Sequence, residues 1–245
     1  MRKNQEFSKE AIDRINNKLS KKCLNEKQRI KELKKELYEI HSNYYKNFNY
    51  IKALSILKKS SSKETHEKLL KKYDSNRFIV LKDLYEKIFK ITGKPKVLVD
   101  LACGLNPLTL PWMNLESNCN YYCYDLEQNL IDFLNEYFKT IKKGYKAFLC
   151  DALTNPPKIK SDIVLLFKSS TCFEWQSPKS TAELLEKLNT DYLVLSVMLR
   201  GEKNINGTRN YLNSIIGEFL KGKETHEIIL KKEYFLIIKI GKGII

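Results

Sequence analysis

Residues 97–113, VLVDLACGLNPLTLPWM, decide the fold class of this chain. A short apolar run carries one carboxylate, Asp100, and then breaks at Ala102 and Gly104. A strand that only filled a core would need neither feature. Glycine has no Cβ and adopts left-handed conformations, so Gly104 lets the backbone approach a ligand closely, and Asp100 is placed to fix the turn. The stretch therefore predicts either a strand ending in a turn whose Asp pairs with a neighbouring amide, or a cofactor loop at the mouth of an α/β sheet.

Short apolar runs alternate with helical stretches from residue 96 onward. Helices fit between the runs, for example at 127–142 and 180–188. Strands that alternate with helices indicate a doubly wound sheet, whose ligands lie at the carboxyl ends of the strands. The last two runs predict an antiparallel hairpin. The predicted strands are 96–101, 120–125, 145–151, 162–167, 192–197, 226–233 and 234–240.

The chain before this sheet has the periodicity of helices. Ala11 and Ile15 recur at helical spacing, with charged residues between the apolar ones. Neither Gly nor Pro occurs before Gly93, which makes that position the best boundary. We therefore predict an all-α N-terminal domain over residues 1–93 and a sheet domain over residues 94–245.

The positive charge is concentrated in the helical part. The net charge is +15, and residues 1–96 hold 26 Lys and Arg against 12 Asp and Glu, whereas residues 97–245 hold 18 against 17. This asymmetry favours a polyanionic partner, most simply nucleic acid, docking on the N-terminal region. The alternative is a solvated helical face with no partner.

Three carboxylates end or nearly end separate predicted strands. Asp100, Asp125 and Asp151 are spaced by 25 and 26 residues, about one strand–helix unit each, so they are expected at one sheet edge. Asp125 is placed to accept from ribose hydroxyls, and Asp151 from an adenine amino group. The loop lacks the later glycines of a dinucleotide fingerprint, which favours a ligand without a pyrophosphate. We therefore predict a class I S-adenosylmethionine-dependent methyltransferase, with a Rossmann-like doubly wound sheet.

A resemblance to a known family sharpens this prediction. Residues 100–113 are similar to motif I of the aminoglycoside-resistance 16S ribosomal RNA guanine-N7 methyltransferases. LLFKSSTCFEWQ (165–176), SNRFIVLKDLYEKIF (75–89) and IHSNYYKNF (40–48) resemble three further segments of that family. The resemblance implies S-adenosylmethionine as cofactor and 16S rRNA within the small (30S) ribosomal subunit as partner. It also implies methylation of guanine N7 in the decoding site, and resistance to aminoglycosides.

The resemblance also assigns residues. Lys168 and Arg200 are interpreted as contacts to RNA phosphates or to guanine O6. Asp100 and Gly104 join the cofactor set from the loop argument above. The cofactor-binding residues carried over from the family are Tyr44, Arg77, Ala102, Asp125, Asp151, Ala152, Phe167 and Gln176.

The chain departs from the family pattern in the loop after the fifth strand. That loop reads SVMLRGE over 196–202, where the family has Ser-Phe-Pro-x-Arg/Lys-Ser-Leu. The resemblance implies that this loop lies near the target base, so the identity of the methylated nucleotide stays open. The alternatives are a methyltransferase for another RNA or a small molecule, and a non-catalytic RNA-binding homologue. The charge asymmetry argues against a small molecule, and the retained carboxylates argue against an inactive scaffold.

Other chemistries find less support in the sequence. Asn155-Pro156-Pro157 precedes the fourth strand and is interpreted as a turn. Cys172 could suggest a nucleophile for cytosine C5 chemistry, but no Pro-Cys accompanies it. Cys119 and Cys123 have metal-like spacing without a second Cys/His pair, so no metal is predicted. No transmembrane segment or signal peptide is evident, and we expect a cytoplasmic protein.

Overall fold

The computed structural model describes residues 6–45, 48–199 and 204–241, without the side chains of residues 41–45 and 76. The helical character of the N-terminal region is confirmed. Several of its helices begin at a polar side chain that accepts a hydrogen bond from a backbone N–H three residues later, as Ser8, Asn49 and Asp74 do. The helices before the sheet are α1 (Lys9–Ser20), α2 (Glu26–Tyr45), α3 (Tyr50–Lys59), α4 (Lys63–Tyr73) and α5 (Ser75–Thr92).

A seven-stranded sheet follows, and its strand order is 3-2-1-4-5-7-6. The first five strands pair in parallel, and the last two form the expected antiparallel hairpin on the fifth. Apolar runs such as SDIVLLF are buried on both faces because helices cover both sides of the sheet. The strands are β1 (Val97–Leu101), β2 (Asn120–Asp125), β3 (Lys146–Leu149), β4 (Ser161–Phe167), β5 (Thr190–Met198), β6 (Thr225–Leu230) and β7 (Glu233–Lys239).

Short helices connect these strands. The helix predicted at 127–142 is observed one turn shorter, and that predicted at 180–188 ends two residues early. The predicted position of the hairpin turn, between residues 233 and 234, was wrong. The chain reverses between Leu230 and Glu233, where Lys231 adopts a left-handed conformation (φ 54°). A 3₁₀ turn spans Asn106–Thr109. The connecting α-helices are α6 (Leu110–Met113), α7 (Gln128–Thr140), α8 (Ser170–Gln176), α9 (Ser180–Glu186) and α10 (Ile205–Leu220).

The N-terminal helices pack in two different ways. Helices α3, α4 and α5 share one apolar core with α7 and one face of the sheet, so this core continues across Gly93. Helices α8, α9 and α10 cover the other face. Helices α1 and α2 instead form a small apolar cluster of their own, built around Ile15, Leu19 and Leu37.

Within the described part of the chain, no helix combines the length and the apolar character needed to cross a membrane.

Candidate active site

The loop after β1 is held in place by Asp100. Ala102 and Gly104 both have left-handed backbone conformations, with φ of 48° and 53°, and they turn the chain into the 3₁₀ segment. The Asp100 carboxylate accepts hydrogen bonds from Asn106 Nδ2 at 2.8 Å and from the Tyr121 hydroxyl at 2.6 Å. Its side chain is buried, and that burial raises the pKa of Asp100 to about 7. Asp100 thus ties the loop to the neighbouring strand.

Asp125 ends β2 and joins two loops. Its Oδ2 accepts from the Gly104 amide at 3.1 Å, and its Oδ1 accepts from the Leu126 amide at 2.8 Å. Burial raises the pKa of Asp125 to about 6. The two backbone N–H groups hold the carboxylate at the sheet edge, beside the turn that Gly104 allows.

Asp151 lies two residues beyond the end of β3, and its partner is far away in sequence. Arg14 of α1 donates from Nε at 2.6 Å and from Nη2 at 3.2 Å to the two carboxylate oxygens. The Thr154 hydroxyl and the Leu153 amide donate to the same carboxylate, at 2.8 Å and 3.3 Å. Arg14 was not foreseen, because nothing in the sequence distinguishes it from the other basic residues of the helical region.

A small cavity, with a volume of about 50 Å³, opens at this edge of the sheet. Of the predicted residues, Ala102, Asp125 and Gln176 line it. Two buried oxygens of its lining, Gln176 Oε1 and Ser169 Oγ, have no hydrogen-bond partner in the described part of the chain. The lining residues outside the predicted cofactor set are Phe7, Ile40, Leu126, Glu127, Ser169, Cys172 and Phe173.

The predicted cofactor arginine, Arg77, lies in a buried polar network next to this edge. Its guanidinium group stacks on Phe167, 4.5 Å from the ring centroid, and its Nη2 donates to Glu233 Oε1 at 2.8 Å. The Ser196 hydroxyl donates to the same Glu233 oxygen at 2.5 Å. Arg77 and Glu233 are each 1% exposed, and Arg77 Nη1 has no hydrogen-bond partner in the region that the structure describes.

Lys168 follows β4 in a left-handed conformation (φ 59°). Its amide donates to the Ser196 carbonyl oxygen at 2.9 Å, which fixes it beside the end of β5. Its ammonium group contacts the Asp74 carboxylate at 3.2 Å. Lys168 therefore presents a partly neutralised charge at the sheet edge.

Three predicted site residues are not among the contacts described above. Tyr44 lies in α2, and its side chain is outside the described residues, as is the whole of Arg200. Ala152 follows Asp151 and is buried in the core on the α8–α10 face of the sheet.

The cysteines show no sign of activation. Cys172 lies in α8 against the cavity, where burial raises the pKa of its thiol, so the thiolate needed for nucleophilic attack is disfavoured. All six cysteines are free of disulfides, and Cys103 and Cys123 are buried. Among the described residues, no group of three His, Cys, Asp or Glu side chains could hold a metal ion.

The strand order, the reversed seventh strand and the acidic residues at the first three strand ends define a class I methyltransferase fold. The model of the ribosomal RNA methyltransferase (FmrO) family matches residues 64–216. This match spans more than half of the chain, and the chain belongs to that family.

Individual relatives agree with the family. A 16S rRNA (guanine(1405)-N(7))-methyltransferase of Micromonospora rosea is 30% identical over 136 residues, covering 55% of this chain and 50% of the relative. One of Proteus mirabilis is 26% identical over 156 residues, covering 60% and 55%. The chain thus spans about half the length of these curated relatives.

Solved structures share the fold over nearly the whole chain. The 16S rRNA methylase RmtB superposes with a TM-score of 0.80 at 23% identity, covering 96% of this chain and 92% of that one. The 16S rRNA methyltransferase RmtF, in complex with S-adenosyl-L-homocysteine, gives a TM-score of 0.82 at 22% identity with the same coverage. The α1–α2 region therefore belongs to an architecture that these structures share.

Proposed function

We propose that this chain transfers a methyl group from S-adenosylmethionine to N7 of a guanine in the decoding site of 16S rRNA, within the small ribosomal subunit in the cytoplasm. The observation that carries the proposal is the cavity at the ends of β1 and β2, with Asp125 in its lining and with oxygens of Gln176 and Ser169 that have no partner among the described residues. Family membership over residues 64–216 supports the same chemistry.

The residues present fit this cofactor. Asp125 would accept hydrogen bonds from the ribose hydroxyls, and the Gln176 side-chain oxygen would accept one from a donor of the adenosyl group. Arg77, whose Nη1 has no partner within the part of the chain that the structure describes, would donate to the cofactor carboxylate. The cofactor supplies an electrophilic methyl group on a sulfonium centre when bound. Ala102 and Gly104 keep the loop backbone close to this region, since both are left-handed.

Methylation of guanine N7 needs little acid–base chemistry. N7 carries a free lone pair in the neutral base, so no proton has to be abstracted before attack. Positioning of the base can then supply most of the acceleration, and well-oriented reactants gain about 7–11 kcal/mol. The guanine must first leave its stack, at a cost of a few kcal/mol. The task of the protein is to hold the flipped base in line with the methyl group.

Lys168 and Arg200 are proposed to position RNA phosphates or guanine O6. The methylated guanine becomes positively charged, so an unpaired ammonium group next to N7 would oppose the reaction. The ion pair of Lys168 with Asp74 reduces that repulsion while it keeps an N–H donor at the sheet edge. This pairing supports a role for Lys168 in orientation rather than in proton transfer.

The cofactor assignment is tested by calorimetry on the full chain. Asp125→Ala should weaken S-adenosylmethionine binding by about 1.5–3 kcal/mol, because it removes charge-assisted hydrogen bonds. Asp132→Ala is the matched control, since Asp132 is an exposed acid on α7. Equal affinities of the two folded variants would contradict the assignment of Asp125.

The target is tested by expression in a susceptible bacterium. Resistance should rise against gentamicin-like and kanamycin-like drugs and not against neomycin-like ones, because the methyl group and its charge repel a polycation at the guanine. The 16S rRNA should also cleave at that guanine after borohydride and aniline treatment, and Asp125→Ala should abolish both effects. If methyl transfer is active but no decoding-site guanine is cleaved, the substrate is another RNA or a small molecule.

The docking role of the basic helices is tested by salt. The excess of 14 positive charges in residues 1–96 predicts that affinity for small subunits falls steeply with salt concentration, by about 0.7–0.9 log units per neutralised phosphate for each tenfold change in salt. Affinity that stays flat between low and moderate salt would mean that docking is not electrostatic.

A further inference from the structure

The N-terminal segment lies across the edge of the sheet at which the cavity opens. Phe7 forms an isolated antiparallel bridge with Glu127, two residues after the end of β2. The Ser8 amide donates to the Leu126 carbonyl oxygen, and the Gln128 amide donates to the Glu6 carbonyl oxygen, each at 2.9 Å. The segment thus pairs its backbone with the loop that follows Asp125.

The Phe7 side chain lines the cavity itself. It is 8% exposed, and it joins Ile40 of α2 in a cluster that packs on Leu126 and Cys172. These last two residues line the same cavity from the β2 loop and from α8. The small α1–α2 cluster is therefore continuous with the cavity lining. Within this lining, Phe7 and Ile40 are joined by Leu126 of the β2 loop and Cys172 of α8.

The N-terminal region also contacts the loop after β3. The bidentate pair of Arg14 with Asp151 joins α1 to this loop, and the Asp151 side chain is only 2% exposed. Two parallel N–H···O bonds fix the orientation of a carboxylate as well as its charge. Helix α1 and the segment just before it thus contact both loops that the ribose and the adenine are proposed to contact.

We propose that residues 6–14 form a wall of the cofactor site, in which Phe7 contacts the adenosyl group and Arg14 is a positioning residue that orients Asp151. This inference rests on the proposed function, since it concerns the same cofactor. The basic N-terminal region then has two roles, one in RNA docking and one in holding the cofactor.

The first experiment follows hydrogen–deuterium exchange in the full wild-type chain, with and without S-adenosylhomocysteine. Amides in residues 6–14 should exchange several-fold more slowly with the ligand, because contact with it suppresses local opening of this segment. Residues 225–230 of β6 are the internal control and should not change. A purely structural role of the segment would give no ligand-dependent protection.

The second experiment measures S-adenosylhomocysteine affinity by calorimetry. Phe7→Ala and Arg14→Ala should each weaken binding by about tenfold, whereas Phe7→Leu and Arg14→Lys should recover part of the loss. Arg29→Ala, which removes an exposed arginine from α2, is the matched control and should bind like the wild type. Circular dichroism would verify that each variant is folded.

The outcomes separate the two proposals. If the wild type binds the ligand but residues 6–14 gain no protection, or if both alanine variants bind as the wild type does, the wall is wrong and the proposed function stands. If the folded wild type does not bind the ligand, the proposed function and the wall both fail.

Discussion

Helices α1–α2 and helices α3–α5 belong to one basic stretch of chain, yet they are built into the molecule differently. The second group, together with Phe48 just before α3, buries ten apolar residues in the core that it shares with the sheet: Phe48, Ala53, Leu57, Leu69, Leu70, Val80, Leu81, Leu84, Tyr85 and Ile88. The first group has a small cluster of its own and reaches the sheet through two strand-end loops. The charge distribution therefore divides this chain near residue 96, whereas the packing of the helices divides it near residue 48.

Truncation of the chain is expected to have the largest effect on folding, and it tests the difference between the two groups of helices. A chain starting at residue 48 should fold cooperatively, whereas one starting at residue 94 should not. The shorter chain loses ten buried apolar residues, and single large-to-small changes at such sites already cost about 2–5 kcal/mol of a total stability of about 5–15 kcal/mol. Urea unfolding followed by circular dichroism checks both chains. A cooperative transition in the chain starting at residue 94 would show that the sheet domain folds independently.

Arg77→Ala should destabilise the protein by about 3–5 kcal/mol, since it leaves the Glu233 carboxylate buried without its charged partner. The control is Arg209→Ala, because Arg209 and Glu227 form an exposed ion pair, and exposed pairs contribute little to stability. Free energies of unfolding in urea compare the two. Similar losses would mean that the Arg77 pair contributes no more than a surface pair.

Two leucines compare the two helical groups directly. Leu84 and Leu19 are both fully buried, the first in the shared core and the second in the small cluster. Leu84→Ala should lower the free energy of unfolding by about 2–5 kcal/mol. Leu19→Ala should cost less globally and should instead speed hydrogen exchange in α1, since a small cluster can open locally. If the two global losses match, α1 and α2 unfold with the rest of the molecule.

The last prediction concerns the dependence of stability on pH. Burial raises the pKa of Asp100 to about 7, above its ordinary value near 4, so the folded protein binds this proton more tightly than the unfolded chain. The contribution is fully present below about pH 4 and is lost as the pH rises through about 7, by at most about 1.4 kcal/mol per pH unit. Unfolding at several pH values should show a shallower decline for Asp100→Asn than for the wild type. If the stability of the two proteins changed with pH in the same way, a group other than Asp100 would be responsible for the pH dependence.

Much of the fold could be predicted from local pattern. Runs such as DIVLLF and YLVLSV predicted buried parallel strands, and the structure confirms them because a sheet covered on both faces needs such runs. The alternation of strands and helices predicted the doubly wound sheet, which the strand order confirms. The strand-end aspartates could be found because each falls at the end of an apolar run. Their roles toward the cofactor stay predictions.

The partners of these residues could not be predicted. Arg14 and Asp151 are 137 residues apart, and Arg77 and Glu233 are 156 apart. Nothing in the local pattern distinguishes Arg14 from other lysines and arginines of the helices. No local pattern predicts that Phe7, which precedes α1, forms a bridge with the β2 loop.

The sequence by itself determined the strands, the helices, the loop that turns at Gly104 and the edge at which the carboxylates gather. These features follow from periodicity, from glycine and from strand ends, which act over a few residues. Only the tertiary structure decided that α3–α5 belong to the core of the sheet and that α1 is tied to the two strand-end loops. Those choices depend on which apolar faces and which charges meet across more than a hundred residues, and the energies that select them arise only when the chain is packed.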